Sequence, residues 1–281
     1  MNLFITWNVN PEIFPNILPI RWYGLMWALG IWFCYLIVAR MFKFEKLPDK
    51  WMDNLFFYTV AGTIIGARLG HCLFYGAPND FFFYYTHPLE IIKVWEGGLA
   101  SHGGALGIIA ALWLYNKNVS HKGFIWTFDR LVVGAAITGA CIRFGNLLNS
   151  EIYGGVTSMP WGFNFVKDTM WHLPVSMGGA GEQPCHPTQI YEMLYCLVAF
   201  GVTYWLYWYR QAYKRTGLIF GVFLLIIFGT RFLLEFIKFN QENFEQNMFL
   251  NMGQILSIPF IIWGIWLIWR TAKKPEKMVN S

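Results

Sequence analysis

Long apolar runs separated by short polar connections dominate the hydrophobic pattern of the chain. A run of about 20 apolar residues is long enough to span a bilayer as a helix. The pattern predicts about seven such spans, at residues 21–40, 53–75, 97–116, 126–149, 188–209, 217–236 and 249–270. Residues 150–187, between spans 4 and 5, are rich in glycine and proline and are expected to form a small extracytoplasmic head. The sequence therefore predicts an all-α polytopic membrane protein with a single membrane-embedded domain over residues 1–281.

Composition supports this fold class. Of the 281 residues, 56% are hydrophobic, 20% are aromatic and only 13% are charged, and the mean hydropathy is +0.39. Disordered chains are poor in aromatic residues, and soluble domains carry about 25% charged residues, so both classes are excluded. The five cysteines are odd in number and show no paired spacing. Since the sequence also contains no cofactor fingerprint, we expect no metal and no cofactor.

The positions of the lysines and arginines predict the orientation of the spans. Thirteen of the 21 fall in one alternating set of connections, four fall in the other set and four lie inside spans. Cytoplasmic connections carry an excess of Lys and Arg, so we expect the N-terminus and the head outside and the C-terminus in the cytoplasm. The net charge of +5 reflects this topology and does not indicate a nucleic-acid partner. Because the first residues lack a basic region, no cleavable signal peptide is expected.

Polar and ionisable side chains gather in the half of the spans that this orientation assigns to the outer leaflet. A charge at the centre of a span costs roughly 2.5–3.5 kcal/mol on insertion scales, so each one is a candidate functional residue. Six spans contribute polar residues, which are Tyr23, Arg68, His71, His102, Arg143, Asn146, Asn149, Glu151, His186, Gln189, Tyr191, Glu192, Arg231 and Glu235. They predict a polar cavity open to the outer leaflet. Its arginines favour an anionic ligand, because a guanidinium can bind two phosphate oxygens at once.

Helical spacing places some of these residues on a common face. Arg143 and Asn146 are three residues apart, and Arg231 and Glu235 are four apart, so each pair lies on one side of its helix. Structural interpretations stay open for the same residues. The Arg231–Glu235 pair could simply neutralise itself within the membrane. Arg143 could organise nearby glutamates, and His102 could form a hydrogen bond between helices.

The sequence contains no nucleophile motif. HExxH, GxSxG, the P-loop and the dinucleotide fingerprint are all absent from it. Ser101 and His102 are adjacent on a helix and point about 100° apart, so they cannot form a nucleophile–base pair. Such a protein either binds and transports an anion or catalyses transfer between two substrates, one of which brings the nucleophile.

Several motifs carry a family resemblance. The segment RFGNLLNSEIYG at 143–154 resembles the signature of the bacterial prolipoprotein diacylglyceryl transferases, which are membrane enzymes that depend on phosphatidylglycerol. The resemblance covers nearly the whole chain in the family's order, through RWYGL (21–25), GARLG (66–70), VWEGGLASHGGALG (94–107), HPTQIYE (186–192), RFLLEF (231–236) and GQILSIP (253–259).

The chain departs from the family pattern at a few positions. Ile142 stands where the family usually has Gly, and Leu147 stands where it usually has Phe. After RFLLEF the family usually has an Arg followed by Pro-Asp, where this chain has Lys238 and then Asn240 and Gln241. Lysine keeps the positive charge but lacks the planar fork of arginine.

The resemblance implies a reaction and its partners. A diacylglyceryl group passes from phosphatidylglycerol to the lipobox cysteine thiol of a prolipoprotein signal peptide, forming a thioether and releasing glycerol phosphate. This is the first step of bacterial lipoprotein maturation. The substrate thiol supplies the nucleophile that the sequence lacks. The implied location is the bacterial cytoplasmic (inner) membrane, with the active site toward the outer leaflet.

The resemblance also implies roles for individual residues. The two arginines would polarise the phosphate, His102 would activate the thiol, and a tyrosine would hydrogen-bond the glycerol or phosphate oxygens. The expected catalytic residues are Tyr23, His102, Arg143 and Arg231. The expected substrate contacts are Arg68, Gly103, Gly104, Arg143, Asn146, Glu151 and Gly154. The residues expected to hold these in place are His186, Gln189, Glu192 and Glu235.

Three rival functions stay open for a sequence of this kind. They are a transporter or channel for an anionic solute, a membrane-embedded acyltransferase or protease, and a noncatalytic lipid-binding or assembly protein. A transporter typically has internal repeats and helices broken near the midplane, and the sequence shows no internal repeat. The missing nucleophile motif counts against the second rival.

Overall fold

The computed structural model describes residues 4–15, 17–75, 82–93, 98, 100–167, 183–238 and 249–273. Most of this chain is helical. Its helices are α1 (Trp22–Phe44), α2 (Asp49–Phe74), α3 (Phe83–Thr86), α4 (Ser101–Tyr115), α5 (Phe124–Leu148), α6 (Thr188–Trp208), α7 (Leu218–Leu234) and α8 (Met252–Lys273). Its strands are β1 (Ile5–Trp7), β2 (Glu12–Phe14), β3 (Leu18–Arg21) and β4 (Phe163–Phe165).

Five of the described helices are long and apolar enough to cross a membrane. They are α1, α5, α6, α7 with the turn that follows it, and α8. The protein is therefore a multi-pass α-helical membrane protein. Predicted spans 2 and 3 correspond to α2 and α4, of which α4 has 15 residues. The total of seven spans stays a prediction.

The contacts divide the chain into two compact units. Unit 1 comprises Met1–Val38 and Phe128–Ser281, and unit 2 comprises Ala39–Thr127. Helices α1 and α5 contribute residues to both.

In unit 2, α2 and α4 pack through glycines that recur every fourth residue. A Cβ added to Gly66 would lie 2.6 Å from Gly107 Cα, and one added to Gly70 would lie 2.6 Å from Gly103 Cα. Small residues at such an interface let two helix backbones approach closely, which is a common way for helices to associate in lipid. The glycine spacing thus explains why these two helices pack together.

In unit 1, a buried carboxylate caps α7 from a neighbouring helix. Asp129 on α5 accepts the backbone N–H of Gly217 at 2.6 Å and that of Phe220 at 2.8 Å. The first N–H groups of a helix have no partner within the helix, so a carboxylate there satisfies both their hydrogen bonds and the helix dipole. Asp129 therefore orients the helix that carries Arg231.

The sequence pattern did not predict the short strands, which lie in the N-terminal residues and in the segment between α5 and α6. β1 pairs in parallel with β4, and β2 pairs antiparallel with β3. Trp7 packs against a buried cluster of Leu147, Tyr153, Phe163, Phe165 and Cys185. The Trp7 indole also donates a hydrogen bond to Leu147 O at 2.9 Å. The N-terminal residues thus pack against the segment between α5 and α6, and an extracytoplasmic head formed by this segment stays a prediction. Its central part, residues 168–182, lies outside the described residues.

Candidate active site

Arg143 on α5 is paired with a buried glutamate on α6. Its Nε lies 2.9 Å from Glu192 Oε2, with Glu192 1% exposed and Arg143 24% exposed. A charge buried in this way needs a partner, and the arginine supplies it through Nε. The two Nη groups of Arg143 lie on the opposite end of the guanidinium, and Nη1 is 3.5 Å from Asn146 Oδ1.

A lysine links this pair to a second glutamate. Lys238 Nζ lies 2.6 Å from Glu192 Oε1 and 3.8 Å from Glu235 Oε1, and the lysine side chain is 6% exposed. In the sequence Lys238 stands out only as a departure from the family pattern. Its position three residues after Glu235 was the signal that could have indicated an ion pair.

The second arginine stands at the other end of this chain of charges. Arg231 Nε lies 3.5 Å from Glu235 Oε1, and the arginine side chain is 39% exposed while Glu235 is 4% exposed. Glu235 is held on its other oxygen by Asn251 Nδ2 at 3.2 Å. A Cβ on Gly253 would lie 2.6 Å from Glu235 Oε1, so only glycine fits beside this carboxylate. Gly253 lies in α8 and Asn251 directly before it, and neither residue was predicted to belong to the site.

The signature segment after α5 continues the same network. Asn146 Nδ2 donates to Glu151 Oε1 at 2.8 Å, and Gln189 Nε2 donates to the Glu151 backbone carbonyl at 2.7 Å. The segment turns sharply, because Ser150 and Ile152 both have positive φ. The predicted residues Asn146, Glu151 and Gln189 therefore hold the end of α5 against the start of α6.

Gly154 lies where three segments meet. Its N–H donates to His186 O at 2.8 Å, and it pairs with Lys238 as an isolated antiparallel bridge. A Cβ at this position would lie 2.6 Å from Thr188 Cγ2 and 2.8 Å from Ile237 O. His186 Nδ1 is 3.3 Å from the Tyr191 hydroxyl, and burial lowers the pKa of His186 below its usual value. The neutral imidazole is thus favoured beside Gly154.

Tyr23 packs at the start of α1 on the helix that carries Arg143. A Cβ on Gly145 would lie 3.1 Å from Tyr23 Cδ2, so this glycine lets the tyrosine ring lie close to the backbone of α5. The Tyr23 hydroxyl accepts a hydrogen bond from Trp27 Nε1 at 3.0 Å. These contacts fix the Tyr23 ring beside Gly145, which lies two residues after Arg143 in the sequence.

Four of the predicted site residues lie in unit 2, namely Arg68, His102, Gly103 and Gly104. His102 Nε2 lies 2.9 Å from the Tyr75 hydroxyl, and its imidazole is exposed. Gly103 packs against Gly70 of α2, as described above, so the partner that approaches Gly103 closely is a neighbouring helix.

Arg68 in unit 2 is buried and binds backbone carbonyls. Its Nε donates to Ile91 O at 2.9 Å, Nη2 donates to Glu90 O at 2.7 Å, and Nη1 donates to Gly98 O at 3.3 Å. The guanidinium also lies 5.2 Å from the centre of the Tyr84 ring. These contacts tie α2 to the segment that precedes α4, and the predicted substrate contact of Arg68 stays a prediction.

Five charged residues of unit 1 form a network in which positive and negative charges alternate. Their order is Arg143, Glu192, Lys238, Glu235 and Arg231. Three cations and two anions leave one net positive charge. Both arginines contact their carboxylates through Nε and are partly exposed, which suits them to bind phosphate oxygens with their outer nitrogens. Within the described ranges, no group of three or more His, Cys, Asp or Glu could hold a metal ion.

The fold and this network define a class of protein, a multi-pass α-helical membrane protein with paired arginines arranged for an anionic ligand. Comparison with known proteins identifies the family. A family model described as prolipoprotein diacylglyceryl transferase matches residues 11–270. The chain belongs to the prolipoprotein diacylglyceryl transferase family, and the family predicted from its motifs is confirmed.

Curated relatives named phosphatidylglycerol–prolipoprotein diacylglyceryl transferase match this chain over nearly its full length. The protein from Porphyromonas gingivalis is 49% identical over 97% of this chain and 96% of its own. The protein from Bacteroides fragilis is 42% identical over 97% of both chains. The protein from Chloroherpeton thalassium is 39% identical over 97% of this chain and 96% of its own.

Proposed function

We propose that this protein transfers the diacylglyceryl group of phosphatidylglycerol to the lipobox cysteine thiol of prolipoproteins. The observation that carries the proposal is the pair of arginines, each held at Nε by a buried carboxylate, in a chain of this family. The reaction is a substitution at the carbon of the diacylated glycerol that bears the phosphate. The thiolate sulfur bonds to that carbon as its C–O bond breaks, and glycerol phosphate leaves with the electron pair on oxygen.

The arginines stabilise the leaving group. The phosphodiester of the lipid carries one negative charge, and the phosphate monoester that leaves carries a second as the bond breaks. Preorganised cations aimed at a charge that develops in the transition state lower the barrier, and removing one donor of this kind typically costs about 10²–10³ in rate. Arg143 and Arg231 are oriented by Glu192 and Glu235, so they need little rearrangement when the charge appears.

His102 accepts the thiol proton in this mechanism. A thiol attacks as the thiolate, and the protein needs a base because the nucleophile comes from the substrate. The Tyr75 hydroxyl lies 2.9 Å from Nε2, and in the tautomer whose Nε2–H donates to that oxygen, Nδ1 is the nitrogen that takes the proton. Tyr23 and Asn146 would contact the glycerol or phosphate oxygens, and Gly154 and Glu151 would shape the phosphate-binding face.

The proposed topology has seven spans in the bacterial cytoplasmic membrane, with α2 and α4 as the spans beyond the five long apolar helices. The N-terminus and head lie outside, and the C-terminus is cytoplasmic. The excess of basic residues in the alternate connections supports this orientation. Single cysteines introduced at Lys167 and Lys214 test it in intact cells with an impermeant thiol reagent, in a background without the native cysteines. Labelling at Lys167 alone is expected, and labelling at Lys214 alone would reverse the orientation.

The test of function uses purified protein in nanodiscs with phosphatidylglycerol and a synthetic lipobox peptide. Mass spectrometry follows the peptide while a coupled assay follows glycerol phosphate. We expect one diacylglyceryl group per cysteine in step with glycerol phosphate release, and loss of both in Arg143→Ala. Nanodiscs of phosphatidylethanolamine provide the matched lipid control. An unmodified peptide, beside an active reference transferase, would reject the proposal and leave noncatalytic lipid binding or transport as the alternative.

A further inference from the structure

We propose that Lys238 is a positioning residue that keeps the outer nitrogens of Arg143 and Arg231 available for the phosphate of the lipid. The inference rests on the proposed function. It concerns a residue that does not itself contact the substrate, since its side chain is 6% exposed and its ammonium faces two buried glutamates.

Both oxygens of each glutamate are in contact with a partner. Glu192 uses Oε1 for Lys238 and Oε2 for Arg143 Nε. Glu235 shares Oε1 between Lys238 and Arg231 Nε, and its Oε2 accepts from Asn251. Arginine and carboxylate otherwise prefer a bidentate pair with two parallel hydrogen bonds. Lys238 thus occupies Glu192 Oε1 and Asn251 occupies Glu235 Oε2, the oxygens that a bidentate arginine pair would need.

Loss of Lys238 would change the partners of Glu192. Glu192 would keep a buried oxygen without a cation, and a buried unpaired charge is costly. The nearest remedy is for Glu192 to turn and accept a hydrogen bond from an Nη group of Arg143. That nitrogen would then no longer be available for a phosphate oxygen. The net charge of the network would also fall from one positive charge to zero, which further weakens its attraction for an anionic lipid.

Two segments of the chain determine the position of Lys238. Its backbone pairs with Gly154 in the signature segment, and the 3₁₀ turn Glu235–Ile237 that precedes it follows directly on the helix of Arg231. The ammonium is therefore placed by both segments that carry the network. The consequence is specific to the lipid substrate, because the proposed mechanism assigns the guanidinium groups to the phosphate and the thiol of the peptide to His102.

The experiment compares Lys238→Met, Lys238→Gln and Lys238→Arg. Glutamine keeps a hydrogen-bond donor for Glu192 without the charge and serves if the methionine variant does not fold. In the methionine and glutamine variants we expect the KM for phosphatidylglycerol to rise by about tenfold or more, with the KM for the peptide within about twofold. Arginine keeps the charge, so the KM of Lys238→Arg for phosphatidylglycerol should stay near the wild-type value. Lys214→Met is the matched control, because Lys214 is exposed and donates to Gln211 at 2.7 Å at the other end of α6.

A fall in kcat with both KM values unchanged would overturn the proposal, because that is the signature of a smaller folded fraction. A rise in the KM for the peptide would overturn it as well. So would a folded Lys238→Arg protein whose KM for phosphatidylglycerol is as high as that of the methionine variant. Equilibrium binding of phosphatidylglycerol to the same variants separates this inference from the proposed function. If the wild-type protein transfers nothing, the function fails, while a weaker lipid affinity in Lys238→Gln still supports the role of Lys238.

Discussion

Gly154 and Lys238 pair with each other through their backbones, and this bridge joins the signature segment to the turn after α7. The lack of a side chain at Gly154 is required, because a Cβ there would lie 2.8 Å from the carbonyl oxygen of Ile237, the residue before Lys238. Any substitution would push that turn away and carry the lysine with it. The geometry of the two arginine–glutamate pairs thus depends on a glycine.

Gly154→Ala is expected to reduce transfer by roughly ten- to a hundredfold while the protein still folds, because displacements of about 1 Å at a site can cost 10²-fold in rate. The nanodisc transfer assay measures this. Gly155→Ala is the matched control, since a Cβ at Gly155 would be an ordinary 3.4 Å from Ile237 O, and it should keep its rate within about twofold. Equal rates in the two variants would contradict this interpretation.

Arg143→Lys keeps the positive charge and tests whether the fork of the guanidinium matters. Lysine offers one ammonium, which cannot both pair with Glu192 and bind two phosphate oxygens. We expect kcat/KM to fall by about 10²–10³, measured with the lipobox peptide. Arg210→Lys is the control, because Arg210 is exposed and lies over the Trp205 ring at 5.7 Å. Near wild-type activity in Arg143→Lys would mean that charge alone suffices at position 143.

Asp129→Asn tests the cap of α7. The carboxylate accepts two backbone N–H groups with separate oxygens, and the amide has only one oxygen to accept with. The variant is expected to lose about 1–2 kcal/mol of stability and to show a lower Tm in detergent. Asp53→Asn on α2 is the control, because Asp53 is exposed. An unchanged Tm for Asp129→Asn would show that the cap contributes little to stability.

Gly66→Ala tests the close packing of α2 on α4. The added methyl would lie 2.6 Å from Gly107 Cα, so the helices must separate, at a cost of about 1–3 kcal/mol. Thermal unfolding measures the effect. Gly201→Ala on α6 makes the same change where nothing lies within 4 Å, and it should be neutral or slightly stabilising because alanine favours a helix. If both variants unfold at the same temperature, the glycine contact is not a source of stability.

The apolar pattern predicted the helices closely, because the length of an apolar run and the charges beside it set where a membrane helix ends. The span expected at 188–209 is the helix Thr188–Trp208, and that expected at 126–149 is Phe124–Leu148. Strands β1 and β4 were missed, since three residues carry too little alternation to be recognised.

Prediction of the site was less complete, for a physical reason. The spacing of four residues indicated the pair of Arg231 and Glu235, because this contact lies within α7 and the turn that follows it. Lys238 acquires its role from Glu192, which is distant in sequence, and no pattern along one segment indicates such a contact. The predicted substrate contact of Arg68 stays a prediction. Its hydrogen bonds to the backbone carbonyls of Glu90 and Ile91 could not be predicted, because they depend on a segment that folds back onto α2.

Tyr75→Phe tests whether the hydroxyl against Nε2 orients His102 for the thiol. The phenylalanine ring keeps the ring contact with the imidazole, whose centre lies 5.7 Å from that of Tyr75, and removes only the hydroxyl. A net hydrogen bond is worth about 0.5–1.5 kcal/mol, so we expect transfer to slow by roughly three- to tenfold. His102→Gln should slow it by 10² or more, on the order of the contribution of a general base. Tyr85→Phe is the control because Tyr85 is 57% exposed. Full activity in His102→Gln would remove His102 as the base, and a normal rate in Tyr75→Phe alone would mean that the imidazole is oriented by other contacts.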